Sequence, residues 1–121
     1  MTAHALLTAE ISERKDPRYV FRRRGLMTAG TSTIQIKTLD VSANGFGVLA
    51  SEPVHVGKTC SMSLYGVVGE RVIQLNFSCQ TAYCILAGVD GFRIGLRIDS
   101  AIDLHKQQLQ KIIATCAPQF V

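Results

Sequence analysis

The residues best suited to chemistry in this chain of 121 residues are cations gathered in one short segment near the N-terminus. Asp16 is the only acid within the segment, and its cations are Arg14, Lys15, Arg18, Arg22, Arg23 and Arg24. The chain as a whole has a formal net charge of +4 and a pI near 9.1. A basic segment of this kind predicts an anionic partner: a phosphate, a nucleic acid or a membrane surface.

A second feature is the polar stretch Asp40–Gly45, which lies between two strand-like runs. Asp40 and Ser42 can accept hydrogen bonds from the backbone a few residues on, and Asn44-Gly45 supplies positive φ at little cost. Taken alone, the stretch predicts a tight β-turn and nothing else, because Asn-Gly turns are common in β proteins. The arginines upstream give it a second meaning.

The elements that must position these residues are short strands. One strand is predicted to start at Tyr19 and run towards Met27, and the next returns over Ser32 to Leu39; a third follows the turn from Phe46 to Ala50. Strict alternation of apolar and polar residues marks three later strands, at residues 60–65, 73–79 and 92–99. Strands this short and frequent predict a small antiparallel barrel or sandwich.

The C-terminal part changes to a helical period. Leu109, Ile112, Ile113 and Cys116 fall on one helical face, and Pro118 ends the pattern. We expect this helix to lie across an open end of the barrel.

Composition indicates one globular domain, with 47% hydrophobic and 18% charged residues. No apolar run approaches the roughly 20 residues of a membrane span. The N-terminal residues lack the basic region of a secretory signal. We therefore expect a cytoplasmic domain over residues 13–117, with a flexible tail at 1–12 and a short tail at 118–121.

Metal and catalytic sites are not indicated. The cysteines form no Cys-x-x-Cys pair and the histidines no metal spacing; they are Cys60, Cys79, Cys84, Cys116, His4, His55 and His105. We expect reduced thiols, with those in strand-like stretches acting as small apolar side chains. The sequence also lacks a Ser/His/Asp order, a recognisable pair of catalytic carboxylates and a P-loop. We therefore expect neither an enzyme nor a cofactor.

Together, Arg14-x-x-x-Arg18 and Asp40-x-Ser42-x-x-Gly45, with 21 residues between them, resemble the two signatures of the PilZ domain family. The resemblance extends from about Glu13 to Cys116 and includes a late strand over residues 92–98. It implies a mainly β protein, a six-stranded antiparallel split barrel with a C-terminal α-helix.

The resemblance also implies a ligand, cyclic di-GMP, a bacterial second messenger with two phosphates and two guanines. Arg14 and Arg18 would grip a phosphate or guanine O6 and N7 bidentately. Asp40 would accept hydrogen bonds from the guanine Watson–Crick edge, and Ser42 would hold phosphate or base. Gly45 would allow the turn geometry and close approach of the ligand.

Some assignments stay open at this point. Lys15 stands where family members often have a second arginine, and Arg18-x-x-x-Arg22 also matches the first signature. We prefer Arg14/Arg18, because Tyr19 onwards already has the pattern of a strand. Further candidates for ligand contact are Lys15, Arg22, Asn44 and Tyr83. Tyr83 either stacks on a guanine or is an interfacial tyrosine of the barrel.

Two functions from different classes fit these residues. The first is a cyclic di-GMP receptor that acts as an adaptor in motility or biofilm signalling, its output read by an unidentified partner protein. Docking of a mobile segment, Ser12 to Arg18, onto the turn would be its signal. The second is a small basic barrel that binds nucleic acid. Its difficulty is the scarcity of exposed aromatic residues for base stacking.

Overall fold

A computed structural model describes residues 17–100, 103–114 and 116 of the chain. The strands within this part are β1 (Tyr19–Val20), β2 (Arg24–Ala29), β3 (Ser32–Ser42), β4 (Gly45–Ala50), β5 (Thr59–Val68), β6 (Arg71–Leu86) and β7 (Phe92–Ser100). A 3₁₀ turn at Gly88–Asp90 joins β6 to β7, and helix α1 spans Asp103–Ala114.

All strand pairs are antiparallel, and the order β3-β2-β5-β6-β7-β4 closes on itself through a β3–β4 pairing. The two-residue strand β1 adds to the far end of β3. The predicted six-stranded antiparallel barrel with a C-terminal helix is therefore confirmed.

The core is built from the inward side chains of the alternating strands. Phe46 lies at its centre, with ring centroids 5.3 Å from Phe77 and 6.4 Å from Phe21. Cys60 and Cys79 are buried there as small apolar side chains, as predicted. Helix α1 packs against β5 and β6 and buries Leu109 and Ile112, which confirms its predicted apolar face.

The strand predicted from Tyr19 towards Met27 is divided in two, because residues 21–23 leave the ladder. Phe21 and Arg23 nevertheless keep backbone hydrogen bonds to β3, from the Phe21 amide to the Leu39 carbonyl and from the Thr38 amide to the Arg23 carbonyl. The Thr38 hydroxyl adds to them, since it donates to the carbonyl oxygen of Phe21 at 2.7 Å and accepts from the amide of Arg23 at 2.7 Å. At this break Phe21 is buried in the core.

The turn at Asp40–Gly45 is shorter than predicted. Asp40 to Ser42 belong to β3 and Gly45 begins β4, so the turn itself consists of Ala43 and Asn44. Neither Asn44 nor Gly45 has a positive φ, so the conformational reason given for this Asn-Gly pair was wrong. Gly45 is needed for a different reason, which is space.

Several predictions lie outside the described residues. These are the tails at 1–12 and 118–121 and the segment 13–16, which carries Arg14 and Lys15. In the part of the chain that the structure describes, no helix combines the length and apolar character that crossing a membrane requires.

Candidate functional site

A β-bulge in β3 decides where Asp40 and Ser42 point. Thr38 pairs with Val48 and Asp40 with Gly47, so two steps along β3 match one step along β4 and Leu39 is the extra residue. Before the bulge, the even-numbered residues of β3 point into the core; after it, Val41 points inward and is fully buried. The bulge thus puts Asp40 and Ser42 on the outer face of the barrel.

A matching irregularity in β6 redirects Tyr83. Thr81 pairs with Leu96 and Tyr83 with Gly95, which leaves Ala82 as the extra residue. Thr81 is buried at 2% exposure, and regular alternation would have turned Tyr83 inward as well. The irregularity instead places the Tyr83 ring on the outer face.

These two side chains face each other across two glycines. Asp40 pairs with Gly47, Gly47 with Gly95, and Gly95 with Tyr83, so the four residues form one row across four strands. A Cβ added to Gly47 would lie 2.8 Å from Asp40 Oδ1, and one added to Gly95 would overlap the Tyr83 ring. The carboxylate and the ring therefore each lie over a glycine, and a side chain at either glycine would displace them. The two glycines let both groups lie close to the backbone of the sheet.

Gly45 lies on the same face of β4, two residues before Gly47. It pairs with Ser42 on one side and Arg97 on the other. A Cβ here would overlap the backbone oxygen of Leu96, so only glycine lets the two strands approach this closely. The Ser42 hydroxyl accepts a 3.3 Å hydrogen bond from the Asn44 amide, as predicted for a turn serine that accepts from the backbone a few residues on.

Charge at the site centres on Asp40, whose side chain is only 4% exposed. Arg18 Nη1 lies 2.8 Å from Asp40 Oδ1, and Arg93 Nη2 lies 3.4 Å from Asp40 Oδ2. A carboxylate this buried needs such partners, because an unpaired charge out of water is very costly. The two arginines thereby hold the Asp40 carboxylate in place on the outer face.

The guanidinium of Arg18 has one buried N–H donor that is not used in the contact with Asp40. Its Nε is buried and has no hydrogen-bond partner among the described residues. Buried polar atoms are almost always satisfied, so this donor needs an acceptor that the described residues do not supply. Phosphate oxygens and guanine O6 or N7 are acceptors of the right kind.

Sequence reasoning did not identify Arg93 as a site residue. The signal was nevertheless present in β7, where alternation puts Arg93, Gly95 and Arg97 on the same face. A glycine between two outward arginines indicates a place where another group lies close to the backbone. Arg97 is engaged in part, since its Nη2 donates to Gln80 Oε1.

The structure brings most of the predicted residues to one place. Arg18, Asp40, Ser42, Gly45 and Tyr83 share the outer face formed by β1, β3, β4, β7 and β6, with Asn44 in the adjoining turn. We call this surface the glycine face.

Arg22 is placed differently. It is exposed and borders a groove of about 220 Å³, beside Val67 and Ile112 of the hairpin and the helix. Its backbone carbonyl accepts a hydrogen bond from Arg23, whose guanidinium lies 5.3 Å from the centre of the Phe21 ring. Arg22, Arg23 and Arg24 are all exposed, consistent with a solvated cationic surface.

Comparison with known proteins identifies the family. The sequence matches the PilZ domain over residues 12–115. The chain belongs to the PilZ domain family. No functionally curated protein matches the sequence significantly.

Solved PilZ structures resemble this domain closely in fold. The PilZ domain with c-di-GMP of YcgR from Escherichia coli has a TM-score of 0.67 at 19% identity, and the match covers 85% of this chain and 90% of that one. The inhibitor of motility MotI/DgrA of Bacillus subtilis has a TM-score of 0.68 at 14% identity, covering 84% and 50%. PlzA of Borreliella burgdorferi, in complex with c-di-GMP, has a TM-score of 0.62 at 10% identity, covering 90% and 45%.

At these identities the likeness shows the fold of this PilZ domain. The chain spans about half the length of MotI/DgrA and of PlzA.

Proposed function

We propose that this PilZ domain is a receptor for cyclic di-GMP and that the ligand binds on the glycine face. The observation that carries the proposal is the pair formed by Arg18 and Asp40. The buried Nε of Arg18 has no acceptor among residues 17–100, 103–114 and 116, while Asp40 is a carboxylate held in place beside it. Guanine has acceptors at O6 and N7 and donors on its Watson–Crick edge, so this pair offers what the base needs.

Two comparisons support the same ligand. The PilZ domain of YcgR and the PlzA protein are both described with c-di-GMP, and their fold is that of this chain. In the proposed complex, Arg14 and Arg18 bind phosphate or guanine, and Ser42, Gly45 and Asn44 line the approach at the end of β3. Lys15 adds positive charge, and Tyr83 supplies an aromatic ring on the glycine face.

The receptor is proposed to be non-catalytic and to act through a partner protein in the cytoplasm, in motility or biofilm signalling. Its domain extends over residues 13–117. Its signal is the docking of the segment Ser12 to Arg18 onto the Asp40–Gly45 turn, which extends the contact that Arg18 already makes with Asp40. The docked segment presents a new surface to the partner. Hydrogen exchange of the amides from Ser12 to Val20, with and without cyclic di-GMP, tests this step. Equal protection in both states would show that the output comes from elsewhere.

Isothermal titration calorimetry with cyclic di-GMP tests the function itself. We expect micromolar or tighter binding and a rise in melting temperature, since a ligand that binds only the folded state must stabilise it. Cyclic di-AMP is the matched control: adenine has an amino group in place of O6, so it cannot accept from Arg18 at that atom. Absence of both heat and thermal shift at high cyclic di-GMP concentration would refute the proposal.

A second candidate is nucleic-acid binding, and one observation favours it. A groove of about 860 Å³ on the outer face carries Arg24, Lys37 and the exposed ring of Tyr65. The three phenylalanines at positions 21, 46 and 77 are buried and offer no stacking surface there. A competition between single-stranded RNA and cyclic di-GMP separates the two functions, because the groove and the glycine face have different lining residues.

A further inference from the structure

We propose that Arg93 is an additional ligand-binding residue. When the ligand binds, the Arg93 guanidinium moves away from Asp40 and binds a phosphate of the ligand. The inference rests on the proposed function, because it assigns a new residue to the same site. Arg93 lies on the outer face of β7, between Leu49 of β4 and Ile85 of β6. It belongs to neither signature motif.

The contacts of the two arginines on Asp40 are unequal. Arg18 donates at 2.8 Å and has a side chain only 22% exposed, whereas Arg93 donates at 3.4 Å and is 42% exposed. Charge-assisted hydrogen bonds between guanidinium and carboxylate are typically about 2.7–2.9 Å long. The Arg93 contact is therefore the weaker of the two, and water already reaches its guanidinium.

A guanine edge cannot reach Asp40 while both arginines stay in place, because the Asp40 side chain is only 4% exposed. Arg18 covers its Oδ1 and Arg93 covers its Oδ2. One guanidinium must move for the base to enter. Arg93 is the one whose movement breaks a long, solvated contact rather than a short, buried one.

The released guanidinium stays at the rim of the site. Arg93 is only two positions along β7 from Gly95, on the same side of the sheet, so it remains on the glycine face. A dianionic ligand brings its phosphates to this rim, where Arg93 is available to bind one of them. Arg93 thus changes partner from a carboxylate to a phosphate, so its guanidinium lies beside a negative charge before and after the ligand binds.

The test is calorimetric titration of cyclic di-GMP into Arg93→Ala, Arg93→Lys and the unaltered protein, at low and at high sodium chloride. We expect Arg93→Ala to weaken binding about tenfold, because a charged hydrogen bond to phosphate is lost. The variant no longer has to break the Arg93–Asp40 ion pair on binding, but that pair is weak, so the gain is small. We also expect its affinity to depend less on salt, because one charge contact to the ligand is gone. Arg93→Lys should keep the salt dependence and lose less affinity.

Arg24→Ala is the control for net charge. It removes the same charge from the outer face of β2, where Arg24 pairs with Lys37, and should leave affinity unchanged. Melting temperature of each free variant separates folding effects from binding effects.

Three results would overturn the inference. Unchanged affinity in Arg93→Ala, with a lower melting temperature, would make Arg93 only a structural partner of Asp40. Tighter binding would make it only a competitor for the carboxylate. An equal loss in Arg24→Ala would reduce it to a general charge effect. If the unaltered protein gives no heat with cyclic di-GMP, the proposed function fails as well, whereas in the other three cases it stands.

Discussion

The outer face of the barrel differs between its two halves. Around β2, β5 and the first half of β6, pairing is regular: the β2–β3, β2–β5 and β5–β6 ladders contain no register shift. The outward residues there, such as Leu26, Tyr65 and Gln74, are exposed and alternate with core residues. We call this surface the regular face.

The glycine face is irregular. It contains the bulge at Leu39 and the irregularity at Ala82, and between them the glycines of β4 and β7. Its key polar side chains are buried although they point outward; Asp40 is 3% exposed and Ser42 4%. Regular pairing therefore builds the scaffold, while breaks in pairing direct functional side chains to a shared surface.

The largest effect expected from this comparison is on Arg18. Arg18→Ala should weaken cyclic di-GMP binding about ten- to a hundredfold, because losing charged hydrogen bonds costs roughly 1.5–3 kcal/mol each. Arg24→Ala, on the regular face, should leave affinity nearly unchanged. Calorimetry of both variants checks this. Similar losses in the two would mean that net charge, and not the glycine face, binds the ligand.

Glycine substitutions should separate the faces by stability. Gly45→Ala should lower the free energy of unfolding by about 1–3 kcal/mol, because its Cβ would overlap the backbone oxygen of Leu96. Gly69→Ala, in the β5–β6 hairpin, meets open space but has φ of 63°. It should cost about 1 kcal/mol, from the left-handed conformation alone. Urea denaturation measures both, and a smaller loss at Gly45 would contradict the spatial explanation.

The two possible registers of the arginine signature predict different rankings. Arg14→Ala should weaken binding about tenfold, as expected for one charged hydrogen bond. Arg22→Ala should have little effect, because Arg22 borders the groove beside the helix. Titration of both variants with cyclic di-GMP decides the register. The reverse ranking would assign the signature to Arg18 and Arg22.

The smallest effect concerns the two tyrosines. Tyr83→Leu should weaken binding roughly fivefold, since stacking of a base on an aromatic ring contributes at least about 1 kcal/mol. Tyr65→Leu, on the regular face, serves as the control and should bind normally. Comparison of the two dissociation constants provides the measurement. If Tyr83→Leu binds like the unaltered protein, Tyr83 is an interfacial tyrosine and no part of the site.

Local patterns in the order of the residues were enough to predict the barrel and its helix. Alternation over residues 60–65, 73–79 and 92–99 gave strands with one buried face, and the spacing of Leu109, Ile112 and Ile113 gave the helix. These signals are local, because burial of one face repeats every two residues in a strand and every three or four in a helix. The pairing of two signature motifs likewise pointed to the family and to the candidate ligand from types and spacing alone.

The assembly of the site, by contrast, depends on how distant strands pair. A bulge depends on how one strand is matched to its neighbour, so the sequence of β3 cannot show that Asp40 lies on the strand and points outward. The role of Gly45 depends on Leu96, which is more than 50 residues away. From the sequence, Gly45 was therefore predicted to be a turn residue. The contact of Arg93 with Asp40 spans 53 positions for the same reason. Side-chain types and local periods are written in the chain, whereas register and cross-strand proximity exist only after the barrel closes.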